Sequence, residues 1–443
     1  MIKKAQPRIL TGFMELLPEE QIQFNKMYDT IKKVYESFGF LPIDTPVIEY
    51  SDVLLAKAGG ETEKQIYRFE KGDSDLSLRF DLTVPLARYV SMRYNDLAFP
   101  FKRYQMGKVY RGERPQKGRF REFYQCDIDI VGNESLDVFY DAEMPSVIYN
   151  VFKKLNIGDF TIRLNNRKIL NGFFKNLGLT ELSSEVLRII DKLEKIGGEN
   201  VYNELIKIGV EEPKINKILD FISIKGSNSY VIEQLQSLSV NDEMYAEGVE
   251  ELKEVLGYMV DFGIPEKNCA VDLTIARGLD YYTGTVYETI LNDYPNLGSI
   301  CSGGRYDDLT GYYTDKKLPG IGISIGLTRL FSQLREIGLI KNSDKSLVQL
   351  LIIPFDKSCL KFALNTAAVF RNAGIITDIY CSGKGLKQKM KFADKSGIPY
   401  VALIGENEKE NSIVTLKNLR TAEQKMLTPE AAAAEIKRCF QAD

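Results

Sequence analysis

The chain has 443 residues, a formal net charge of −3, 44% hydrophobic and 27% charged residues, the balance of a folded chain of two or three domains rather than a disordered or fibrous one. It contains no histidine and no tryptophan, which excludes Ser-His-Asp and Cys-His catalysis, histidine-ligated metals and a histidine general base. Its six cysteines, Cys126, Cys269, Cys301, Cys359, Cys381 and Cys439, form no C-x-x-C pair, which argues against a zinc site and fits reduced thiols. No apolar run reaches the roughly 18 residues of a membrane span, and MIKKAQPRILTGFMELLPEE has no signal-peptide pattern, so a cytoplasmic protein without membrane contact is expected.

Residues 19–38 carry helical periodicity in Ile22, Met27, Ile31, Val34, Tyr35 and Phe38, and Gly39 predicts the stop. Phe40 to Val53 reads as extended, with Pro42 and Pro46 confining it to an edge or interface strand. Residues 76–131 alternate as strands around a helical piece at 83–95. The block 167–262 is rich in Leu, Ile, Lys and Glu at helical spacing. Strand patterns return at 269–306, and a strand over 319–325 runs into a helix ending near Gly338. After the polar joint KNSDKS, the apolar run VQLLIIPF opens a stretch that alternates helices with short apolar strands such as YVALIG at 400–405. That pattern predicts a small α/β domain over 347–443 with a buried parallel sheet. Residues 346–443 hold fourteen Lys/Arg against ten Asp/Glu, and 101–121 hold eight basic residues against one acidic. Two basic regions fit an anionic partner touched at two places, although charge of this size is also common on solvated surfaces.

Three stretches carry the chemistry. FKRYQMGKVYRGERPQKGRFREFYQCDIDIV at 101–131 predicts two strands joined by a loop around Pro115–Gly118. Alternation puts Arg119, Arg121, Phe123, Gln125, Asp127 and Asp129 on one face of the second strand, and Phe120, Tyr124, Cys126, Ile128 and Ile130 on the other. Arg111 and Glu113 share a face of the first. Arginines beside an aromatic ring and carboxylates suit a nucleotide, because guanidinium grips phosphate and the ring stacks on a base. A solvated face of cross-strand ion pairs has the same pattern. VDLTIARGLDYYTGTVYET at 271–289 reads as strand, turn and strand, with Tyr281 and Tyr282 between the breakers Arg277-Gly278 and Thr283-Gly284. CSGGRYDDL at 301–309 precedes PGIGISIGLTRL at 319–330, where Gly326 leads into a helix with Arg329 in its first turn, a start that favours anions. GKGLKQK at 383–389 lacks the Walker A spacing.

Taken together these pieces resemble the class II aminoacyl-tRNA synthetases, and among them the histidyl-tRNA synthetases, over nearly the whole chain. Gly39-Phe40, Ile43 and Pro46-Val47-Ile48 are similar to the dimer motif of that class. Arg111-x-Glu113 with Arg119, Phe123 and Asp127 resembles its second motif. Gly322, Gly326 and Arg329 resemble the third, which departs from the usual pattern at Ser324, where glycine is commoner, and at Thr328, where glutamate is commoner. ARGLDYYTGTVYE and GGRYDDL look like the histidine-specific signatures and are the more selective matches.

The resemblance implies an α+β catalytic domain of class II synthetase type over 1–166 and 263–340, built on a six- or seven-stranded antiparallel sheet. It implies a helical insertion over 167–262 that clamps the acceptor stem, and a C-terminal α/β anticodon-binding domain over 347–443. The implied activity is ligation of L-histidine to tRNA(His) through a histidyl-adenylate, with ATP as substrate, Mg²⁺ as its companion, and a cytoplasmic homodimer as the working form. Arg111 and Arg277 would be catalytic, acting on the α-phosphate and the substrate carboxylate. The histidine site would further comprise Asp81, Leu82, Thr83 and Gln125 at the α-amino end, with Asp129, Tyr281 and Tyr282 around the imidazole. Phe123 and Arg329 would sandwich the adenine, Glu113 would read its edge, and Arg114 and Gln116 would approach the tRNA acceptor end. No side chain is assigned to the metal. The nearest rival is the synthetase-like regulatory subunit of ATP phosphoribosyltransferase, which binds histidine without aminoacylation and lacks the terminal domain present here.

Overall fold

A computed structural model describes residues 5–56, 61–114, 118–276, 282–340 and 345–441. The chain divides into two units, Met1–Met14 with Met27–Leu339, and Glu15–Lys26 with Ile340–Asp443. The first long helix, Pro18–Ser37, starts with a proline and carries Glu19 and Glu20 in its first turn, both favourable at a helix N-terminus. It ends before Gly39, whose φ of 79° is the left-handed conformation that closes helices.

The strand β1 (Leu41–Pro42) follows, then β2 (Ile48–Tyr50), β3 (Arg68–Lys71) and β4 (Ser74–Leu78). The last three form a small antiparallel sheet of order β2-β4-β3. The chain does not stay extended to Val53, because Ser51–Leu55 is a helix. Buried Ser51 bonds Asp75 and Ser77 there, partners too distant in sequence for a local pattern to show.

Next come β5 (Phe101–Tyr110), β6 (Glu122–Val131), β7 (Phe160–Asn166), β8 (Cys269–Val271), β9 (Thr285–Leu291), β10 (Cys301–Tyr306) and β11 (Gly320–Gly326). With β1 they make one eight-stranded sheet of order β1-β5-β6-β11-β10-β9-β7-β8. The six inner strands pair antiparallel, while β1 and β8 add parallel at the two edges. This corrects the expected six or seven antiparallel strands. The additions are only two and three residues long, and Pro42 suits an edge because it has no N–H to give a ladder. One face of the sheet is apolar, with Cys126, Ile128, Ile130, Ile321, Ile323 and Ile325 buried, and the helix Phe139–Leu155 packs on it, Tyr287 Oη donating to Asp141 O at 2.6 Å. The other face carries the polar residues described below. Between β7 and β8 the chain is helical, from Arg167–Asn176 to Glu243–Asp261, as its spacing predicts.

The second unit holds β12 (Leu350–Pro354), β13 (Thr377–Ile379), β14 (Tyr400–Ile404), β15 (Val414–Asn418) and β16 (Gln424–Leu427) in the order β13-β12-β14-β15-β16. The first three are parallel, but β15 and β16 join antiparallel, so the expected parallel sheet is in fact mixed. Nine residues separate β14 from β15 and five separate β15 from β16, too few for a parallel crossover, which needs about a dozen or more.

Candidate active site

The β5–β6 ladder sets Arg103 opposite Asp129, Gln105 opposite Asp127, Gly107 opposite Gln125 and Val109 opposite Phe123. Residues directly opposite share a face. On the same face β11 places Gly322 beside Asp129, Ser324 beside Asp127 and Gly326 beside Gln125, and β10 brings Tyr306 beside Gly320. Gly322 leaves room for the carboxylate: a Cβ there would lie 2.1 Å from Asp129 Oδ1.

Arg103 is fully buried. Its Nη2 pairs with Asp129 Oδ2 at 2.5 Å and donates to Leu82 O at 3.3 Å. The Tyr306 hydroxyl donates to Asp129 Oδ1 at 2.9 Å. Gln125 Nε2 donates to Ser324 Oγ at 2.8 Å, and Ser324 also hydrogen-bonds the Asp127 carboxylate. Among the described residues, Arg103 Nε and Nη1, Gln125 Oε1 and Asp127 Oδ1 are buried with no partner. Buried polar atoms are nearly always satisfied, so such a cluster marks a functional face. Burial pushes Asp127 up to about 7 and Asp129 up to about 6, with Arg103 opposing both shifts. Burial raises Asp81 too, opposed by the Val84 N–H and by Arg111.

Asp81 precedes the helix Thr83–Met92, and its Oδ1 accepts from the N–H groups of Thr83 at 3.1 Å and Val84 at 2.9 Å, satisfying the free donors of a helix start. Leu82 is buried, and Thr83 is half-buried at the first helical position. Arg111 and Glu113 lie just beyond the end of β5, not on it as expected, because the ladder gives way to the loop. The Arg111 N–H still bonds Arg121 O at 2.9 Å. The Arg111 guanidinium sits 4.3 Å from the centre of the Phe80 ring and 5.1 Å from that of Phe123, and its Nε donates to Phe80 O at 3.3 Å. Glu113 pairs with Arg119 at 3.3 Å, and Arg114 is exposed. Arg329, in the first turn of the helix Leu327–Glu336, donates to Leu297 O at 2.7 Å. Tyr282 packs with Ala87, Tyr306 and Leu309. Arg277, Tyr281 and Gln116 lie outside the described residues.

The structure therefore links Asp81, Arg111 and Phe123 on one side to Gln125, Asp129 and Tyr282 on the other, across the face of β5, β6 and β11. Sequence alone places Asp127 on this face without a role, holds Tyr306 within the GGRYDDL signature without assigning it one, and gives no role to Arg103. Their signal is the strand register, which needs the fold. The two departures from the third motif have partners of their own: Ser324 joins Gln125 to Asp127, and Thr328 Oγ1 accepts from the Tyr124 N–H at 2.8 Å. Arg305 of GGRYDDL is a clamp, pairing with buried Asp141 and donating to Leu136 O at 3.0 Å and Asp137 O at 3.1 Å.

Comparison with known proteins gives a consistent result. A family model described as histidyl-tRNA synthetase matches residues 12–330, and one described as an anticodon binding domain matches 349–438. The histidine–tRNA ligase of Clostridium tetani is 57% identical over 434 residues, 98% of either chain. The crystal structure of histidyl-tRNA synthetase from Nostoc sp. PCC 7120 is similar at a TM-score of 0.90 and 43% identity, covering 98% of this chain and all of that one. A Bacillus halodurans structure titled as an ATP phosphoribosyltransferase regulatory subunit/histidyl-tRNA synthetase shares the fold at a TM-score of 0.76 and 20% identity, over 91% of this chain and 99% of that one.

Proposed function

The chain belongs to the histidyl-tRNA synthetase family, and on that premise we propose how its residues join L-histidine to tRNA. It is a class II aminoacyl-tRNA synthetase acting on histidine, ATP and tRNA. The regulatory-subunit alternative has less support, since its likeness rests on fold at 20% identity.

The histidine carboxylate is already an ionised nucleophile. It attacks the α-phosphorus of ATP in line, a mixed anhydride forms, and pyrophosphate leaves. No general base is needed, so a chain without histidine loses nothing in this step. The site must supply position and charge stabilisation. Arg111 contacts the α-phosphate and the substrate carboxylate, and Arg277 approaches from the other side, each able to bond two oxygens at once. Phe123 and Arg329 hold the adenine, and Glu113 reads its edge. Asp81, Leu82, Thr83 and Gln125 hold the α-amino end, and Asp129, Tyr281 and Tyr282 surround the imidazole. Mg²⁺ bound with the nucleotide would offset phosphate charge, and no side chain of this chain is assigned to hold it. In the second step a terminal tRNA hydroxyl attacks the carbonyl carbon, its proton passes to a non-bridging oxygen of the adenylate phosphate, and AMP leaves.

The catalytic domain occupies 1–166 and 263–340, the helices of 167–262 clamp the acceptor stem, and 347–443 reads the anticodon. Arg114 and Gln116 approach the acceptor end. The working form is a cytoplasmic homodimer: Leu41, Val47, Ile48 and Tyr50, in the stretch that resembles the dimer motif, are exposed apolar side chains, and such a patch marks an interaction surface. The observation that carries the site assignment is the Arg111 guanidinium over Phe80 and Phe123, beside the buried Asp81 and Gln125–Asp129 row. Histidine-dependent ATP–pyrophosphate exchange followed by tRNA charging tests it. Exchange without added histidine, or none with it, defeats the reading.

A further inference from the structure

We propose that Arg103 is a positioning residue of the histidine pocket, holding the Asp129 carboxylate ionised and oriented for the substrate while compensating the second carboxylate, Asp127, beside it. The inference rests on the reading that Asp129 meets the histidine side chain. Arg103 projects from β5 and is completely buried. Its ion pair is with Asp129 at 2.5 Å, Leu82 O shares the same Nη2, and Nε and Nη1 have no partner among the described residues. A buried guanidinium with three of its five N–H donors unsatisfied costs more desolvation than it returns, and an apolar side chain of similar size would hold the fold as well. Its place is therefore explained by the charges around it.

Those charges come from several elements. The carboxylates Asp127 and Asp129 face Arg103 from β6 and Asp81 from the start of the helix Thr83–Met92, while Tyr306 on β10 and Tyr35 in the helix Pro18–Ser37, the latter against Cys126 and Tyr104, are neutral neighbours whose hydroxyls burial keeps protonated. Arg111 is the second cation near Asp81, but its guanidinium lies over Phe80 and Phe123. Compensation at Asp129 and Asp127 therefore falls to Arg103. Without it, two neighbouring buried carboxylates retain a proton between them. A protonated Asp129 is a weaker acceptor for an imidazole N–H than the ionised carboxylate. Tyr306 fixes the orientation of Oδ1 and Arg103 that of Oδ2. Arg103 acts through Asp129 and need not touch the substrate.

The test is histidine-dependent ATP–pyrophosphate exchange by the full chain from about pH 5.5 to about 9. The substrate imidazole titrates near 6.5 in every assay, so only differences between variants count. Loss of the cation raises the pKa of Asp129, so Arg103→Met should move the acidic limb of histidine kcat/KM upward by about one unit or more. Its histidine KM at neutral pH should rise about tenfold and recover as pH rises, with the ATP KM within about threefold of wild type. Arg103→Lys keeps the charge and should leave the limb within about 0.3 unit, at some loss of affinity from the lost fork geometry. A folded Arg103→Met with the wild-type limb overturns the proposal. So does a folded Arg103→Lys whose limb moves by a full unit, which keeps the proposal testable if the methionine variant does not fold. Wild type without histidine-dependent exchange would instead sink the family-based reading. Asp129→Ala with an unchanged histidine KM would sink the pocket assignment on which the proposal stands.

Discussion

The sheet β13-β12-β14-β15-β16 buries Leu350, Ile352 and Ala402 on one face and Leu351, Ile353 and Val401 on the other, whereas the face of β5, β6 and β11 buries Arg103, Gln125, Asp127 and Asp129. The charged groups buried beside the first sheet are satisfied: Lys389 Nζ donates to Pro354 O at 2.7 Å, and Glu408 accepts from the Gly405 N–H at 2.9 Å and from Thr415 at 2.7 Å, while Thr366 Oγ1 in the helix Leu360–Asn372 is a single neutral atom there without a partner among the described residues. On the second, four side-chain atoms lack a partner among the described residues. Leaving one buried polar group unsatisfied costs about 1–3 kcal/mol. The apolar sheet is thus arranged for stability, and the polar face gives up stability to keep groups available to a ligand. Burial is the largest cause of the raised carboxyls there, since each charged form has lost water that the protein only partly replaces, and the neighbouring carboxylates add to it, Asp129 and Asp81 at Asp127 and Asp81 at Asp129.

If that contrast is sound, substitutions in the two regions should separate rate from stability. The largest effect is expected for Arg111→Ala, which should slow single-turnover adenylation by about two to three powers of ten, roughly 3–4 kcal/mol, the scale for one preorganised stabiliser. Its unfolding midpoint should hardly move, and a variant that unfolds more easily at an unchanged rate would break the contrast. Ile352→Ala in the apolar sheet should do the reverse, lowering unfolding free energy by about 2–5 kcal/mol. Chemical denaturation reads this, and exchange per folded molecule should stay near wild type.

A smaller effect sharpens the electrostatic half. Asp127 is raised to about 7 in the fold, against about 3.9 in an unfolded chain. Below the lower value both states are protonated. Between the two values the folded state binds more protons, so the contribution of Asp127 to stability falls as pH rises from about 4 to about 7. Asp127→Asn removes that loss. It should add about 1–2 kcal/mol at pH 8 and about a third of that at pH 5, a discounted figure because Asp127, Asp129 and Arg103 titrate together. Denaturation curves at both pH values test it, and an equal effect at pH 5 and pH 8 would mean that Asp127 carries no buried charge. The smallest expected effect is from Tyr306→Phe, which removes one hydrogen bond to the Asp129 carboxylate. It should raise the histidine KM about tenfold or less, the scale of about 1 kcal/mol for one such bond, with the ATP KM unmoved.

Periodicity made the long elements legible. The helix at 18–37, the strands at 101–110 and 122–131 and the strand-to-helix passage at 320–336 are each recognisable from spacing and glycine position. Short elements were not. The two-residue β1 and three-residue β8 carry too few residues to show a period, and the helix Ser51–Leu55 depends on contacts with Asp75 and Ser77. The turn from parallel to antiparallel at β14–β15 follows from a short connection whose ends are clear only once both strands are placed. In the site, the face bearing Phe123, Gln125 and Asp129 came from simple alternation, which holds for any strand. The role of Ser324 and Thr328 did not, since a motif position that departs from its usual residue gives no hint of which neighbour it will bond.

What the amino-acid order determined by itself is the chemistry available: no imidazole anywhere, a row of carboxylates and an aromatic ring on one strand face, and arginines on the stretches around it. Those follow from residue type and from the two-residue period of a strand, which are local properties. What only the tertiary structure decided is which charges meet. Arg103 and Asp129 are 26 positions apart, Tyr306 is another 177 beyond Asp129, and Ser324 reaches Gln125 across 199. Their pairing depends on strand register, and a slip of one residue would send every one of these side chains to the opposite face. Ionisation depends on it in turn, because a carboxyl near 4 in water moves toward neutrality only where the surrounding fold has excluded water and set one guanidinium against two carboxylates.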